Sequence, residues 1–172
     1  MGTRRTTAPA DSIAVFLNEW QAQRPDVDPW PLGIIGRVAR IDLYVQRHAQ
    51  NWLAPLGLTW ETFSMIAALR RAGPPFAQKP SDLLRMTLLT SGAMTNRIDR
   101  VEAKGWVERC PDPADRRGVI VRLTPSGKNL ADRAIALHFK EAARLLGFLK
   151  KSDRVLLESL LSQMLGRLEA AD

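Results

Sequence analysis

Asp115, Arg116 and Arg117 stand together in "CPDPADRRGVIVRLT", between two short apolar runs. Two adjacent guanidinium groups on a turn suit phosphate oxygens or a narrow, electronegative minor groove. A carboxylate two residues before Arg117 can hold that guanidinium in one orientation and lower the entropy lost on binding. Upstream, Thr95, Asn96 and Arg100 fall on one side of a helix at roughly 3.6 residues per turn, with Ser91 at its start. Gly92, Asp99 and Ala103 share that side, so no large apolar group keeps it from a groove. Short donors and acceptors beside an arginine are the types that reach base edges and phosphates from a helix in the major groove. Met94, Ile98 and Val101 occupy the opposite, core-facing side, and Arg97 falls beside them rather than on the polar face. There it is either one half of a structural ion pair or part of an anion-binding pocket.

Other chemistries find no support. His48, His138 and Cys110 are the sole histidines and cysteine, so no cluster with metal-ligand spacing exists. No nucleophile has a visible base, so we expect no enzyme, no cofactor and no metal. Cys110 reads as a small strand residue. Lys plus Arg number 25 against 18 for Asp plus Glu, a net charge of +7 that favours polyanionic partners. The 45% hydrophobic and 25% charged fractions are those of a globular protein, with residues 1–10 read as a flexible tail. No window is long and apolar enough for a membrane span, and the start lacks the apolar core of a signal peptide. A cytoplasmic protein without a membrane partner is expected.

The elements that would position these groups are mostly helical. Ile13, Phe16, Leu17 and Trp20 make a helical stripe over 11–22, capped by Asp11 or Ser12. Three prolines in "RPDVDPWPLG" interrupt it, and a longer helix runs from Leu32 to Leu53 with Ile34, Ile35, Val38, Ile41 and Val45 on its stripe. Thr59 caps a third helix that turns Phe63, Ile66, Ala67 and Leu69 inward and ends at 72–75. "SDLLRM", a turn containing Thr87, and a helix from Thr90 or Ser91 to Lys104 form a helix-turn-helix, stopped by Gly105. "WVERC" and "GVIVRL" read as a β-hairpin around the loop "PDPADRR". Thr124-Pro125 opens a helix to about Leu149, and Ser152-Asp153 caps a last helix with one very apolar face that must be buried against something.

The stretch "TSGAMTNRIDRVEAKGWVERCPDPADRRGVIVRLTPSGK" resembles the recognition helix and wing of the MarR family almost throughout. The resemblance implies a mainly α fold with a small β-hairpin wing, a winged helix-turn-helix dimerised through its N- and C-terminal helices. It implies a helical dimerisation region over 11–53 and 124–172 and a DNA-binding region over 54–123, in one continuous domain. It further implies a ligand-responsive transcriptional regulator, a repressor, binding double-stranded DNA at a pseudo-palindromic operator as a homodimer. A nonspecific architectural DNA-binding protein is the alternative, which would bind any duplex alike. By position, Ser81, Ser91, Thr95, Asn96, Arg100, Arg116 and Arg117 would contact DNA, and Asp115 would orient Arg117. Within the family the chain is most similar to the urate-responsive branch. There, a Trp, an Asp and two Arg residues form the effector site, and the corresponding positions here are Trp20, Ser64, Arg97 and Arg109. Ser64 in place of the carboxylate points to an anionic or aromatic effector other than urate.

Overall fold

The computed structural model describes residues 11–85 and 91–171, with backbone alone at Ser91, Arg116 and Arg117. The chain divides into two compact units, one up to Asn51 and one from Trp52 onward. The tail 1–10, the turn at Thr87 and the capping position Thr90 lie outside the described residues.

The first unit holds α1 (Ser12–Gln23) and most of α2 (Trp30–Leu53). Asp11 is the cap of α1, its Oδ1 accepting the N–H groups of Ile13 at 2.9 Å and Ala14 at 3.1 Å. Its other oxygen accepts Arg37 Nε at 3.0 Å, tying α2 to the start of α1. Of the expected α1 stripe, Ile13 is buried and Leu17 half-buried, while Phe16 and Trp20 are exposed. α2 begins two residues earlier than its periodicity indicates. Asp28 Oδ1 accepts the Trp30 N–H at 3.1 Å, and Pro31 sits in a first turn where a missing N–H costs nothing. Ile34, Ile35, Val38 and Ile41 on α2 are all exposed.

In the second unit a 3₁₀ turn (Ala54–Leu56) leads to α3 (Trp60–Arg71), whose N-terminus is a capping box. Thr59 Oγ1 accepts the Thr62 N–H at 3.3 Å, and Thr62 Oγ1 accepts the Thr59 N–H at 2.9 Å. β1 (Ala77–Gln78), α4 (Pro80–Arg85), α5 (Ser91–Ala103), β2 (Val107–Asp112), β3 (Asp115–Leu123), α6 (Pro125–Leu145) and α7 (Lys151–Glu169) follow. α4 and α5 pack on each other, and α3 lies along α6. The core comprises Leu58, Phe63, Ile66, Leu69, Leu83, Met94, Ile98, Val101, Val107 and Val121.

The hairpin of β2 and β3 is present and gains a third strand, giving an antiparallel sheet in the order β1-β3-β2, because the two-residue β1 pairs Ala77 with Arg122 and Gln78 with Val121. A pair of ladder residues carries no periodic signal. Three expectations need correction. The loop expected at 111–117 shrinks to Pro113-Ala114, since Asp112 Oδ1 accepts the Ala114 N–H at 2.9 Å and closes a tight turn. α6 ends at Leu145 rather than near 149, the Leu146 N–H closing onto the carbonyls of Ala142 and Arg144. α7 starts at Lys151 on a Lys150 cap with no side-chain hydrogen bond. Ser152 and Asp153, expected to cap it, lie in its first turn and bond to each other at 3.3 Å. α7 buries no residue, and Val155, Leu156, Leu160, Leu165 and Leu168 stand 55–61% exposed.

Candidate nucleic-acid interface and the pocket beside it

α5 separates its residues as the wheel requires. Met94, Ile98 and Val101 are at most 3% exposed, and their burial holds the helix against α3 and β2. Thr95, Asn96 and Arg100 lie exposed on the other side, and a Cβ added at Gly92 would meet nothing within 4 Å. Ser81 is exposed on α4. The backbone of Ser91 starts the helix; its side chain lies outside the described residues.

Beside α5 the hairpin is bulged. The pairing steps from Pro111–Val119 directly to Asp112–Asp115, so β3 accommodates Arg116, Arg117 and Gly118 where β2 advances by one residue. Bulges re-aim a strand locally and raise its twist, which turns this segment out of the regular ladder. The side chains of Arg116 and Arg117 lie outside the described residues, and with them the bond expected from Asp115 to Arg117. A further carboxylate, which nothing local in the sequence singles out, closes the turn. Asp112 has a side chain only 5% exposed, and its Oδ2 lies 2.9 Å from Lys79 Nζ, off the ideal hydrogen-bonding angle. The Lys79 ammonium, then the Ala114 N–H, hold the Asp112 carboxyl below the usual carboxylate range.

Arg109 anchors the hairpin base to α5. Its backbone N–H donates to Glu102 Oε1 at 2.9 Å, its guanidinium pairs with the other Glu102 oxygen, and Nη2 reaches Asp99 Oδ1 at 2.5 Å. These partners, Asp99 foremost, raise its affinity for its proton. Arg122 and Glu108, directly opposite across β2 and β3, add a cross-strand pair at 2.8 Å.

The inner side of α5 forms one wall of a cavity of about 580 Å³. Met94 and Arg97 come from α5, Phe63, Ser64 and Ala67 from α3, and Asp132, Ile135, His138 and Phe139 from α6. Arg97 makes no ion pair or hydrogen bond among the described residues. Burial, opposed in part by the field of Glu61, lowers its affinity for its proton. Arg97 lines this cavity, and no ion pair holds it among the described residues. Ser64 donates its hydroxyl proton to the Trp60 carbonyl at 2.8 Å and keeps its lone pairs. Asp132 is neutralised by Arg70 Nε at 2.6 Å and Lys128 Nζ at 2.8 Å.

Thus Ser64 and Arg97 meet in one cavity, whereas Arg109 is committed elsewhere and does not line it. Trp20 stands 54% exposed on α1, in the other unit. His138, which has no partner visible in the sequence, lies among the rings of Phe63 at 5.0 Å, Trp60 at 5.6 Å and Phe139 at 5.7 Å. Burial lowers its pKa below the ordinary imidazole value, and its Nδ1 has no hydrogen-bond partner among the described residues. The spacing of Asp132, Ile135, His138 and Phe139 on one helix side was the available signal. Cys110 is half-buried on β2 opposite Ile120. Among the described residues no helix is long and apolar enough to cross a membrane.

Residues 56–118 match the sequence profile of the MarR family. The HTH-type transcriptional regulator PecS of Dickeya dadantii is 30% identical over 152 residues, 88% of this chain and 92% of PecS. The multiple antibiotic resistance protein MarR of Salmonella typhimurium is 35% identical over 60% of this chain and 68% of its own length. Among solved structures, a mutant MarR from Escherichia coli complexed with operator DNA superposes with a TM-score of 0.69 at 28% identity, covering 85% of this chain and 97% of that one. A helix-turn-helix and bulged hairpin could arise on many chains, but identity sustained through nine-tenths of PecS reaches well beyond that motif, into the helices on either side. The chain belongs to the MarR family of winged helix-turn-helix transcriptional regulators.

Proposed function

We propose that the chain binds a pseudo-palindromic operator as a homodimer, with α5 in the major groove and the bulged hairpin at the adjacent minor groove. Thr95, Asn96 and Arg100, with Ser91 and Ser81, contact bases and phosphates; Arg117 enters the minor groove and Arg116 takes a phosphate. The observation that carries this reading is that one helix presents a polar, exposed face on one side and a pocket wall on the other. A molecule seated against Arg97 presses on the helix that reads DNA, which is how an effector biases operator binding. The expected response is repression relieved by the effector, in the cytoplasm.

Dimerisation follows from surface that an isolated chain leaves wet. Phe139, Phe148, Val155, Leu156 and Leu160 are 55–80% exposed in the second unit, and Trp30, Ile35 and Ile41 are 60–65% exposed in the first. Apolar surface on that scale marks an interface, and a two-fold homodimer is the commonest closed solution. We assign it to 11–53 and 124–172, and DNA binding to 54–123.

The effector class follows from the lining. Arg97 is a half-buried cation without an ion pair among the described residues, and Phe63, Ile135, His138 and Phe139 supply apolar and aromatic walls. A small aromatic monoanion satisfies both, by charge at Arg97 and by ring packing. The chain sits nearest the urate-responsive branch in this reading, but Ser64 brings no carboxylate to the site. Trp20 and Arg109, the other positions aligned with that branch, are not required by the pocket.

A labelled duplex from upstream of the chain's own gene tests the DNA reading. We expect a preference over competitor DNA at moderate salt, and Arg117→Ala or Asn96→Ala to weaken it by about 1 to 3 kcal/mol each. Equal affinity for any duplex would replace this reading with the architectural one. A thermal-shift screen of aromatic carboxylates, phenolates and purine anions tests the pocket.

A further inference from the structure

We propose that Lys79 and Asp112 are positioning residues for DNA binding: their ion pair fixes the wing turn to the strand segment that follows α3, and so sets where the bulged arginine segment meets the minor groove. This rests on the wing reading above. It assigns the orienting role to the pair at the base of the turn, whichever bond Asp115 makes.

Three observations converge on the pair. Asp112 is the buried carboxylate of the turn, with its side chain 5% exposed; one oxygen closes the turn on the Ala114 N–H at 2.9 Å and the other faces Lys79 Nζ at 2.9 Å. A buried carboxylate needs its countercharge, so the turn cannot move from Lys79 without stranding that charge. Next, the bulged segment is moulded around the same carboxylate. A Cβ added at Gly118 would come within 3.0 Å of Asp112 Cβ and 3.2 Å of its Oδ2, and 3.2 Å of Asp115 Cβ, so the backbone at Gly118, directly after Arg116 and Arg117, packs closely on the two aspartates of the turn. Finally, the other end of the tether is immobilised. The Phe76 carbonyl accepts the Leu123 N–H at 3.0 Å, Ala77 and Gln78 pair with β3, and the Phe76 ring lies under the Arg70 guanidinium at 4.9 Å and the Lys128 ammonium at 5.6 Å. Those two cations both hold Asp132, on the pocket wall. Asp82 and Asp115 add to the negative field at Lys79, keeping the ammonium charged. The wing turn is therefore fastened at one end to α5, through Arg109, and at the other to the α3–α6 layer, through Lys79.

The test compares Lys79→Met, Asp112→Asn and Lys79→Arg, each with and without Arg117→Ala, by fluorescence anisotropy on an operator duplex and on an unrelated duplex. Lys79→Met removes a positive charge and Asp112→Asn a negative one, so a purely electrostatic effect would weaken DNA binding in the first and strengthen it in the second. We expect both to weaken operator binding by about tenfold, Lys79→Arg to restore it, and Arg117→Ala to add less than about twofold to either. Hydroxyl-radical protection should fade at the flanking minor grooves and persist over the major-groove contacts. Affinities that follow net charge, or a full Arg117→Ala effect on top of Lys79→Met, would overturn the proposal. If Asp112→Asn does not fold, Lys79→Gln at the half-exposed end of the pair gives the same comparison against Lys79→Arg. Failure of the wing reading itself is distinguishable, because Arg117→Ala would then leave the parent protein's operator affinity unchanged.

Discussion

Arg97 and Arg109 bracket the two working ends of the same structure, the pocket wall and the hinge of the wing, and their surroundings are opposite. Arg109 is met by Glu102 and Asp99 and raised in proton affinity. Arg97 is drawn in among apolar side chains, lined up with Ser64 and His138, and left without an ion pair among the described residues. A guanidinium already satisfied by two carboxylates is a fastener, since capturing another anion would require giving up bonds it has. A half-buried guanidinium without such bonds carries an uncompensated desolvation cost, which an incoming anion removes. Identical chemistry thus fastens structure at Arg109 and, in the proposed reading, is left for recognition at Arg97.

Arg97→Ala gives the sharpest test of that contrast. Affinity for an aromatic monoanion should fall by about 2 to 3 kcal/mol, read by calorimetry, with unfolding free energy within about 0.5 kcal/mol of the parent. A large loss of stability with effector binding intact would reverse the assignment. Arg109→Ala should show the converse. Its pairs are partly exposed, so the stability loss is about 1 kcal/mol and shrinks at high salt, while effector affinity is unchanged. Urea denaturation at two salt concentrations decides this. His138 gives the smallest effect. Its folded pKa lies below the unfolded value, so the neutral ring contributes stability that is fully present above the unfolded pKa and is lost as pH falls through the folded one. Stability should therefore decline as pH falls below the ordinary imidazole value of about 6.5, and His138→Phe should flatten that slope.

The helices were legible because each depends on local spacing and caps. Met94, Ile98 and Val101 are buried as the wheel requires, Thr59 caps α3, and Gly105 ends the turn after α5 in the left-handed region at φ 69°. Less legible were features made by residues distant in sequence. β1 exists because β3 pairs with it. Nothing local distinguishes Asp112 from Asp115, the other acidic residue of its loop, whereas Lys79, from before α4, does. The apolar face of α7 announced a buried surface, but the fold of one chain leaves it exposed, in keeping with a partner supplying the cover.

The sequence by itself determined the family, the polar face of α5 and the presence of a hairpin bearing paired arginines, because periodicity and residue type act over a turn or two of chain. Only the tertiary structure decided which arginine is paired with carboxylates and which lines the cavity, and that Asp112 meets Lys79. Those outcomes depend on whether a countercharge from another element arrives within bonding reach, and Glu102, Asp99 and Lys79 do so for Arg109 and Asp112, while Arg97 feels Glu61 only through its field and has no ion pair among the described residues.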